Sequence, residues 1–325
     1  MKKILQNQIS KYNLANIATI NLNEKTIDIF KSKLDIQYSC ENLAEYPEYL
    51  TNSCEVRKNP LLFLEWAKSA IVIAIPFDNL PLIETSFPEN KDNDLNGIIS
   101  GYANRLDYHI YGKDIAEKIL SEINGFYERS EICIDTKPVA ERAIANFAKL
   151  GDIGLNRCLL INDYGASCFL VTIFLDKELP EFINTSEKEC DNCQKCLKNC
   201  PTKSLDKSFK YNQCISALTI EKRGALSDSE KKSIGNNMFG CSHCISSCYN
   251  SSLPEDKLID LEWLLMSQNS EIKKQIKSTP LEYSGITILR RNAVYALQNK
   301  SSENSLTLVK KFQKKTGSIL LKSLS

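Results

Sequence analysis

Residues 190–201 read CDNCQKCLKNCP, and residues 241–248 read CSHCISSC. Together with Cys214, these stretches hold eight of the thirteen cysteines of the chain. In the first stretch, three cysteines are separated by two residues each, and the fourth, Cys200, comes immediately before Pro201. Bacterial two-cluster ferredoxins space their ligands in this way, and the fourth cysteine ligates the other cluster. The spacing therefore predicts two 4Fe-4S clusters.

The same pattern divides the eight cysteines into two sets of four, because each run contributes ligands to both clusters. The predicted metal ligands are Cys190, Cys193, Cys196 and Cys248 for one cluster, and Cys200, Cys214, Cys241 and Cys244 for the other. A pair of zinc sites is one alternative, but such sites usually show two separated CxxC pairs. A disulfide framework is the other, and it is expected in a short secreted chain.

Composition is that of an ordinary globular protein, with 325 residues, 42% apolar residues and 25% charged residues. The sequence has no run of about 18 uncharged apolar residues that would predict a membrane span. Its first residues, MKKILQNQ, become polar too soon for a signal peptide. Free thiolates available to iron also require a reducing compartment. We therefore expect a cytoplasmic protein with no membrane partner.

Charge is distributed unevenly, although the net charge is only +1. From Ser270 to the end, the chain has eleven Lys or Arg residues and three Glu residues, an excess of eight positive charges. Such a region can neutralise several nucleic-acid phosphates. A solvated, Lys-rich helical surface explains the charge alone equally well.

The first half of the chain begins with residues 1 to about 50, which we expect to form solvent-facing helices. The LLFLEWAK segment of residues 61–68 resembles a further helix. Residues 70–75, AIVIAI, predict a central strand that is buried on both faces. Residues 78–96 are polar, contain prolines and predict a loop.

Alternating strands and helices follow this loop. Residues 101–124 predict an amphipathic helix, residues 131–135 a strand that ends on a carboxylate, and residues 138–150 a helix that ends at a glycine. Residues 157–162 and 168–176 predict two more strands. This alternation predicts one α/β domain over the first 180 or so residues.

The segment after the cysteines predicts short amphipathic helices over residues 258–266, 289–297 and 306–321. We therefore expect an α+β protein in three parts. These are an α/β domain over residues 1–180, a two-cluster ferredoxin-like module over residues 181–256, and a basic helical region over residues 257–325.

Taken together, these stretches resemble the epoxyqueuosine reductases, cobalamin-dependent enzymes that finish the queuosine modification of tRNA. The resemblance covers nearly the whole chain. Besides the eight cysteines, it is carried by RKNP at 57–60, DYH at 107–109, IDTKPVAERAIA at 134–145, GDIGLN at 151–156, CISALTIEKRG at 214–224, GNNMFGCSHC at 235–244 and TPLEYSGITILRRNAVYAL at 279–297.

This resemblance implies that the first domain has a nitroreductase-like, corrinoid-binding fold. Electrons would pass through the two clusters to cobalt, whose reduced form removes the epoxide oxygen. Asp135 matches the family's proton donor, which must hold its proton near neutral pH until the oxygen departs. The alternative role for Asp135 is to cap the helix that begins near Pro138.

The resemblance also implies cofactor and RNA contacts by position. The residues that match the corrinoid-lining positions are Arg57, Ser100, Asn156, Leu159, Leu170, Ser216, Ser242 and His243. His109 is assigned to the substrate or corrinoid pocket, and Lys222 resembles a position near the RNA. His109 also fits the D-x-H-x-x-G pattern of corrinoid proteins whose histidine ligates cobalt. Its place before a helix, with no Gly-rich turns later in the chain, argues against that role.

The chain departs from the family pattern at three places. The usual GW-x-GKN is Gly151–Asn156 here, so a tryptophan and a lysine are missing. The residues before the DYH stretch are altered, to Gly101, Asn104 and Leu106, and Tyr249 replaces a proline after the last ligand. These changes bear on the catalytic pocket or the RNA contact.

The leading hypothesis is reduction of epoxyqueuosine to queuosine at the tRNA wobble position, by a monomer that receives electrons from an unidentified low-potential donor. One alternative is a cobalamin and iron-sulfur reductase of another substrate. Another is a ferredoxin-like electron carrier that has lost the corrinoid site. The five remaining cysteines have no assigned role: Cys40, Cys54, Cys133, Cys158 and Cys168. Of these, Cys133, Cys158 and Cys168 lie in apolar predicted strands and are expected to be buried.

Overall fold

A computed structural model of the chain describes residues 1–37, 46–83, 87–184, 189–206 and 209–324. The α-helices are α1 Lys2–Lys11, α2 Glu24–Gln37, α3 Glu48–Asn52, α4 Cys54–Lys58, α5 Tyr108–Glu122, α6 Glu141–Phe147, α7 Lys195–Asn199, α8 Asp228–Ile234, α9 His243–Ser246, α10 Leu261–Met266, α11 Asn269–Ile276, α12 Leu281–Lys300, α13 Glu303–Lys315 and α14 Ile319–Lys322. The strands are β1 Asn16–Asn21, β2 Ser69–Pro76, β3 Asn96–Ile99, β4 Ser130–Cys133, β5 Asp152–Ile153, β6 Leu159–Leu160, β7 Cys168–Leu175, β8 Asn237–Phe239 and β9 Lys257–Asp260.

These elements form two compact units, each assembled from separate stretches of the chain. The first comprises Met1–Asn79, Tyr108–Leu197 and Ile245–Ser252. The second comprises Leu80–Asp107, Lys198–Cys244 and Leu253–Ser325. The predicted domain boundaries at residues 180 and 256 divide the chain into contiguous segments, whereas each compact unit combines separate segments. The three-part division stays a prediction.

The first unit is built on a four-stranded sheet in the order β1-β2-β7-β4, with antiparallel pairing throughout. All eight residues of β2 are buried, which confirms the predicted central strand. Helices α2 and α6 cover one face with a core that includes Phe30, Ile144 and Phe174. A separate hairpin pairs β5 with β6.

Two sequence predictions for this unit are wrong. Residues 1–50 are not only helical, because β1 occupies Asn16–Asn21 and pairs along its length with β2. The LLFLEWAK segment forms no α-helix: a 3₁₀ turn spans Pro60–Leu62, and turns follow it. The predicted strand over residues 157–162 is reduced to Leu159–Leu160. The predicted helices at 101–124 and 138–150 are present as the shorter α5 and α6.

The second unit contains a three-stranded sheet in the order β8-β3-β9. Helices α10 to α14 pack with it around a core that includes Ile99, Met238, Leu289 and Val294. The predicted helix at 258–266 is partly wrong, because Lys257–Asp260 form β9 before α10 begins. The helical carboxyl-terminal region is confirmed, with α12 and α13 as its longest members. No helix in the described ranges is both long and apolar enough to cross a membrane.

Candidate iron-sulfur sites and active site

The first predicted set of four cysteines lies entirely within the first unit. All four cysteines line one cavity, beside the loop after β5. Burial raises the pKa of Cys248, and so does the negative charge that Cys196, Cys190 and Cys193 carry as thiolates. The four sulfur atoms are therefore close enough to interact, as a shared cluster requires.

Backbone turns and carboxylates shape this cavity. Asn192 and Gln194 have left-handed backbones, with φ of 53° and 59°, between successive cysteines. The Cys193 N–H donates to Asp191 Oδ1 at 3.2 Å, and the Cys190 N–H donates to Asp152 Oδ2 at 3.0 Å. Asp152 belongs to the GDIGLN stretch, so this altered stretch meets the first cysteine set.

The second predicted set lies entirely within the second unit. Burial, together with negative charge on Cys214 and Cys200, raises the pKa of Cys241 to about 11. Burial likewise raises the pKa of Cys214, again with a contribution from Cys200. Three of the four thiols therefore interact directly. Cys244 follows Cys241 by three residues, on α9.

Hydroxyl groups surround the Cys200 sulfur. Its Sγ lies 3.3 Å from Ser204 Oγ and 3.7 Å from Thr202 Oγ1. Burial raises the pKa of Cys200, but the bonds from Ser204 and Thr202 lower it, and the net pKa is below its ordinary value. Iron binds cysteine as a thiolate, which only accepts hydrogen bonds. In the ligated state both hydroxyls must therefore donate to this sulfur.

These two groups fit the chemistry of iron-sulfur clusters, which bind four thiolates each. In the part of the chain that the structure describes, no three His, Cys, Asp or Glu side chains form a site for a single metal ion. A four-iron cluster is larger than one ion, so its ligands stand further apart. Ligation by the eight individual cysteines stays a prediction that this grouping supports.

The predicted proton donor, Asp135, lies just beyond the end of β4 with its side chain exposed. Its φ of 54° is in the left-handed region, and the Thr136 N–H donates to the Ile134 carbonyl at 2.6 Å, which closes a tight turn around it. The Tyr108 hydroxyl donates to Asp135 Oδ2 at 3.0 Å. Asp135 does not cap α6, because Ala140 is the N-cap residue of that helix.

Aromatic rings fix the position of Tyr108. Its ring stacks on His109 with 4.0 Å between centroids and lies 5.6 Å from the ring of Phe169 on β7. Close approach of α5 to the sheet supports this arrangement, because a Cβ at Gly112 would lie only 2.9 Å from Val171 Cγ2. His109 thus lies beside the residue that contacts Asp135, and its assignment to a substrate or corrinoid pocket stays a prediction.

Glu141 was not assigned a role from the sequence, although it belongs to the PVAERAIA motif. Its Oε2 accepts the Asp135 N–H at 2.9 Å. Burial and the charge of Asp135 raise the pKa of Glu141 to about 8, whereas the Asp135 N–H, Arg57 and Arg142 act in the opposite direction. A carboxyl with so high a pKa beside a candidate proton donor identifies it as a functional candidate.

The predicted corrinoid contacts divide between the two units. In the first unit, Arg57 donates from Nη1 to the Val139 carbonyl at 3.2 Å, in the segment between Asp135 and α6. Asn156 is buried and lines the cavity of the first cysteine set. Leu159 is buried on β6, and Leu170 is half-buried on β7.

In the second unit, Ser100 is buried and Ser216 is half-buried. Ser242 Oγ donates to Asp256 Oδ2 at 3.1 Å, and His243 is exposed. The corrinoid roles of these residues, like those in the first unit, stay predictions.

Lys222, the predicted RNA contact, makes side-chain and backbone contacts with other residues of the second unit. Its Nζ lies 2.5 Å from Glu230 Oε1 in an ion pair. Arg291 is fully buried and donates to the carbonyls of Lys222 at 2.6 Å and Gly224 at 2.9 Å, which fixes the turn that carries Lys222. Arg291 therefore contributes no positive charge to the surface, although the sequence count includes it.

Among the remaining cysteines, Cys133 is buried, as expected, and Cys54, for which burial was not predicted, is buried as well. Burial raises the pKa of Cys133 to about 12, which makes its thiol unreactive. Cys158 and Cys168 are half-buried, and burial raises the pKa of Cys168 strongly. Cys40 lies outside the described residues.

Two stretches of the chain match known protein families. Residues 189–250 match the family described as "4Fe-4S double cluster binding domain". Residues 57–136 match the family described as "Epoxyqueuosine reductase QueG, DUF1730". The first match spans all eight predicted ligands, and the second ends one residue after Asp135.

Curated relatives carry the same name as the second family. The epoxyqueuosine reductase of Pseudomonas aeruginosa is 30% identical over 249 residues, which cover 71% of this chain and 68% of that protein. The epoxyqueuosine reductase of Xanthomonas campestris is 31% identical over 220 residues, which cover 62% of this chain and 61% of that protein. The chain thus spans between three fifths and about two thirds of the length of these relatives.

Solved structures share the fold. A crystal structure of epoxyqueuosine reductase with an epoxyqueuosine-modified tRNA-Tyr stem loop has a TM-score of 0.80 at 24% identity, covering 99% of this chain and 87% of that one. A Bacillus subtilis epoxyqueuosine reductase, with its catalytic aspartate loop swung out of the active site, has a TM-score of 0.77 at 22% identity, covering 98% of this chain and 88% of that one.

Proposed function

This chain belongs to the epoxyqueuosine reductase family, and from that membership we propose that it reduces epoxyqueuosine in tRNA to queuosine. The observation that carries the proposal is the geometry of Asp135. An exposed carboxyl sits on a tight turn, fixed by hydrogen bonds to Tyr108 and Glu141, in the same unit as the first cysteine set. A proton donor and an electron-transfer centre are the two things that the reaction needs.

Removing the oxygen of an epoxide as water takes two electrons and two protons. The two cysteine sets would hold the clusters that deliver the electrons, one set in each unit. Asp135 would give a proton to the departing oxygen, and Tyr108, which donates to Asp135 Oδ2, would orient the carboxyl. Solvent would supply the second proton, so that the oxygen leaves as water and a carbon-carbon double bond remains.

Cobalamin is part of the proposal because the family uses it. Two features of this chain support it: the side chain of Asp135 is exposed, and Arg57 donates a hydrogen bond to the segment that follows Asp135. A bound cobalamin would supply a strongly reducing cobalt centre. The predicted lining residues would hold its ring and its side chains.

A tRNA partner is supported by exposed positive charge on the helical region. Lysine side chains project from α11 and α13 without burial: Lys273, Lys274, Lys310, Lys311, Lys314 and Lys315. Lys311 Nζ has one acidic neighbour, Glu262 Oε1 at 3.4 Å, and remains half-exposed. Binding through such residues should weaken steeply with salt. A monomeric, cytoplasmic enzyme with a separate low-potential electron donor completes the proposal.

Metal and corrinoid analysis of anaerobically purified protein, together with tRNA binding, tests this proposal. We expect about eight irons and one corrinoid per chain, and salt-dependent binding of tRNA. Intact clusters without corrinoid after reconstitution would instead support the electron carrier that has lost its corrinoid site. Bound corrinoid without detectable tRNA binding would point to a reductase of another substrate.

A further inference from the structure

We infer that Glu141 is a positioning residue that holds the backbone of Asp135 in the conformation that presents its carboxyl for proton transfer. This inference rests on the proposed function, because it assigns Asp135 to the reaction. Glu141 itself touches neither substrate nor cofactor in this account. It acts through one hydrogen bond to the main chain of Asp135.

The conformation that Glu141 supports is an unfavourable one. Asp135 is not glycine, yet its φ is 54°, and the Thr136 N–H donates across it to the Ile134 carbonyl. Turns of this kind are rare and energetically unfavourable. Such a conformation persists only when its surroundings hold it. The bond from the Asp135 N–H to Glu141 Oε2 at 2.9 Å is a contact that does so directly.

The position of the Glu141 carboxyl is unfavourable for one of its oxygens. Glu141 is the first residue of α6, where an acidic side chain interacts favourably with the helix dipole even when it is exposed to solvent. Here the carboxyl turns back toward Asp135, and its second oxygen, Oε1, is buried and makes no hydrogen bond within the described residues. Burial of an unpaired oxygen costs stability. A residue kept at such a cost beside a candidate catalytic carboxyl is better explained by positioning than by packing.

The charged groups around Glu141 are consistent with this role. Asp135 faces it from the turn, Arg57 from α4 and Arg142 from α6. With a pKa raised to about 8 by burial and by Asp135, Glu141 is largely protonated at neutral pH. It can therefore accept the Asp135 N–H without placing a second full negative charge beside the proton donor.

Two substitutions separate the hydrogen bond from the acidity. Glu141→Gln keeps an acceptor oxygen at the same distance along the side chain and removes the acid. Glu141→Ala removes the acceptor. Glu117→Ala is the matched control, because Glu117 lies on α5 in an exposed ion pair with Lys113 at 3.7 Å. If Glu141→Ala does not fold, Glu141→Met supplies a side chain of similar length without an acceptor.

The first readout is residue-resolved hydrogen exchange of the Asp135 amide, which requires neither substrate nor loaded cofactor. We expect exchange to be roughly 10-fold faster in Glu141→Ala than in the parent, because one hydrogen bond is lost. In Glu141→Gln and Glu117→Ala it should stay within about threefold of the parent. Unchanged protection in Glu141→Ala, or loss of protection in Glu141→Gln, would overturn the inference.

The second readout is kinetic. Misplacing a catalytic group by about 1 Å can cost up to about 100-fold, so we expect Glu141→Ala to lower kcat by about 10- to 100-fold with KM nearly unchanged. Glu141→Gln should retain activity at pH 7. If the parent protein makes no queuosine but the exchange pattern holds, the proposed function fails and the positioning role stands. If the parent is active and Glu141→Ala is equally active, the positioning role fails.

Discussion

At the scale of single residues, the backbone amide of Asp135 links two carboxyl groups that have opposite surroundings. Asp135 is exposed, whereas Glu141 points inward and accepts the Asp135 N–H. The sequence predicted Asp135 from its place at a strand end and from the family motif. It did not predict Glu141, because five residues lie between the two in the sequence and only the fold of the intervening segment brings them together.

Glu141 should give the protein a recognisable dependence of stability on pH. Its pKa is about 8 in the folded protein, against 4.5 for an ordinary glutamate. Between these values the folded protein holds a proton that the unfolded chain releases, so the free energy of unfolding falls as pH rises. Below pH 4.5 both states are protonated, and the full stability is present.

Glu141→Gln removes this titration, so its melting temperature relative to that of the parent should rise between pH 5 and pH 8. The effect is of order 1 kcal/mol per pH unit, which is several degrees for a domain of this size. Thermal melts of the two proteins at pH 5, 6.5 and 8 measure it. A constant difference in melting temperature across this range would contradict the assigned pKa.

The hydroxyls around Cys200 should tune one cluster and leave the other unchanged. Donors to a ligand sulfur stabilise the more negative, reduced state of a cluster and raise its reduction potential. Ser204→Ala with Thr202→Val removes both donors, so we expect the potential of the Cys200 cluster to fall. Potentiometry followed by electron paramagnetic resonance measures both clusters, and the first cluster is the internal control. Equal shifts in both clusters would argue against the assignment of Cys200.

At the scale of elements, patterns of buried residues were predictive and short elements were not. The AIVIAI run predicted β2 because a strand buried on both faces needs continuous apolar residues. Strand β1 was missed because Asn16, Thr19 and Asn21 give it a polar appearance. The side chain of each of these residues donates a hydrogen bond to a backbone carbonyl in the loop after β7. Asn21 Nδ2, for example, donates to the Leu179 carbonyl at 3.0 Å.

Helix α5 packs closely against the sheet, and a change in this packing should affect the candidate active site. A Cβ at Gly112 would lie 2.9 Å from Val171 Cγ2 and 3.2 Å from both Ile134 Cδ1 and Phe169 Cε2. Overpacking in Gly112→Ala should therefore destabilise the protein by about 1–3 kcal/mol. The higher helix propensity of alanine offsets up to about 1 kcal/mol of this loss. It should also lower activity by moving Tyr108.

Thermal unfolding and kcat measure the two effects of Gly112→Ala. Gly317→Ala is the control, because, apart from its chain neighbours, no described residue comes within 4 Å of a Cβ at that position. Parent-like stability in Gly112→Ala would contradict this close packing of α5 on the sheet.

At the scale of the whole molecule, each compact unit contains one predicted cluster set. The sequence assigned all eight cysteines to one ferredoxin-like module because they are close along the chain. The two units instead divide that module between Leu197 and Lys198, and again between Cys244 and Ile245. Contacts of each half with distant segments decide this division, and such contacts are not visible in local sequence patterns.

Because each cysteine set lies in its own unit, a substitution in one set should remove the iron of that cluster only. Cys193→Ser should remove the first cluster and leave the second, and Cys241→Ser should do the reverse, so each variant should retain about half of the parent's iron. Iron analysis measures the loss, and the electron paramagnetic resonance spectrum of the reduced protein identifies which cluster remains. Complete loss of iron in both variants would show that neither cluster forms without the other.

Conversion of epoxyqueuosine-containing tRNA tests the central claim most directly. The parent protein, loaded with both clusters and cobalamin and supplied with a low-potential reductant, should convert the nucleoside to queuosine, as measured by mass spectrometry of digested tRNA. Asp135→Asn should retain its clusters and lose at least about 100-fold in rate, since a positioned acid contributes 10²–10⁴-fold. Asp114→Asn, which alters an exposed aspartate on α5, should match the parent. No queuosine from the fully loaded parent, or full activity in Asp135→Asn, would contradict the account.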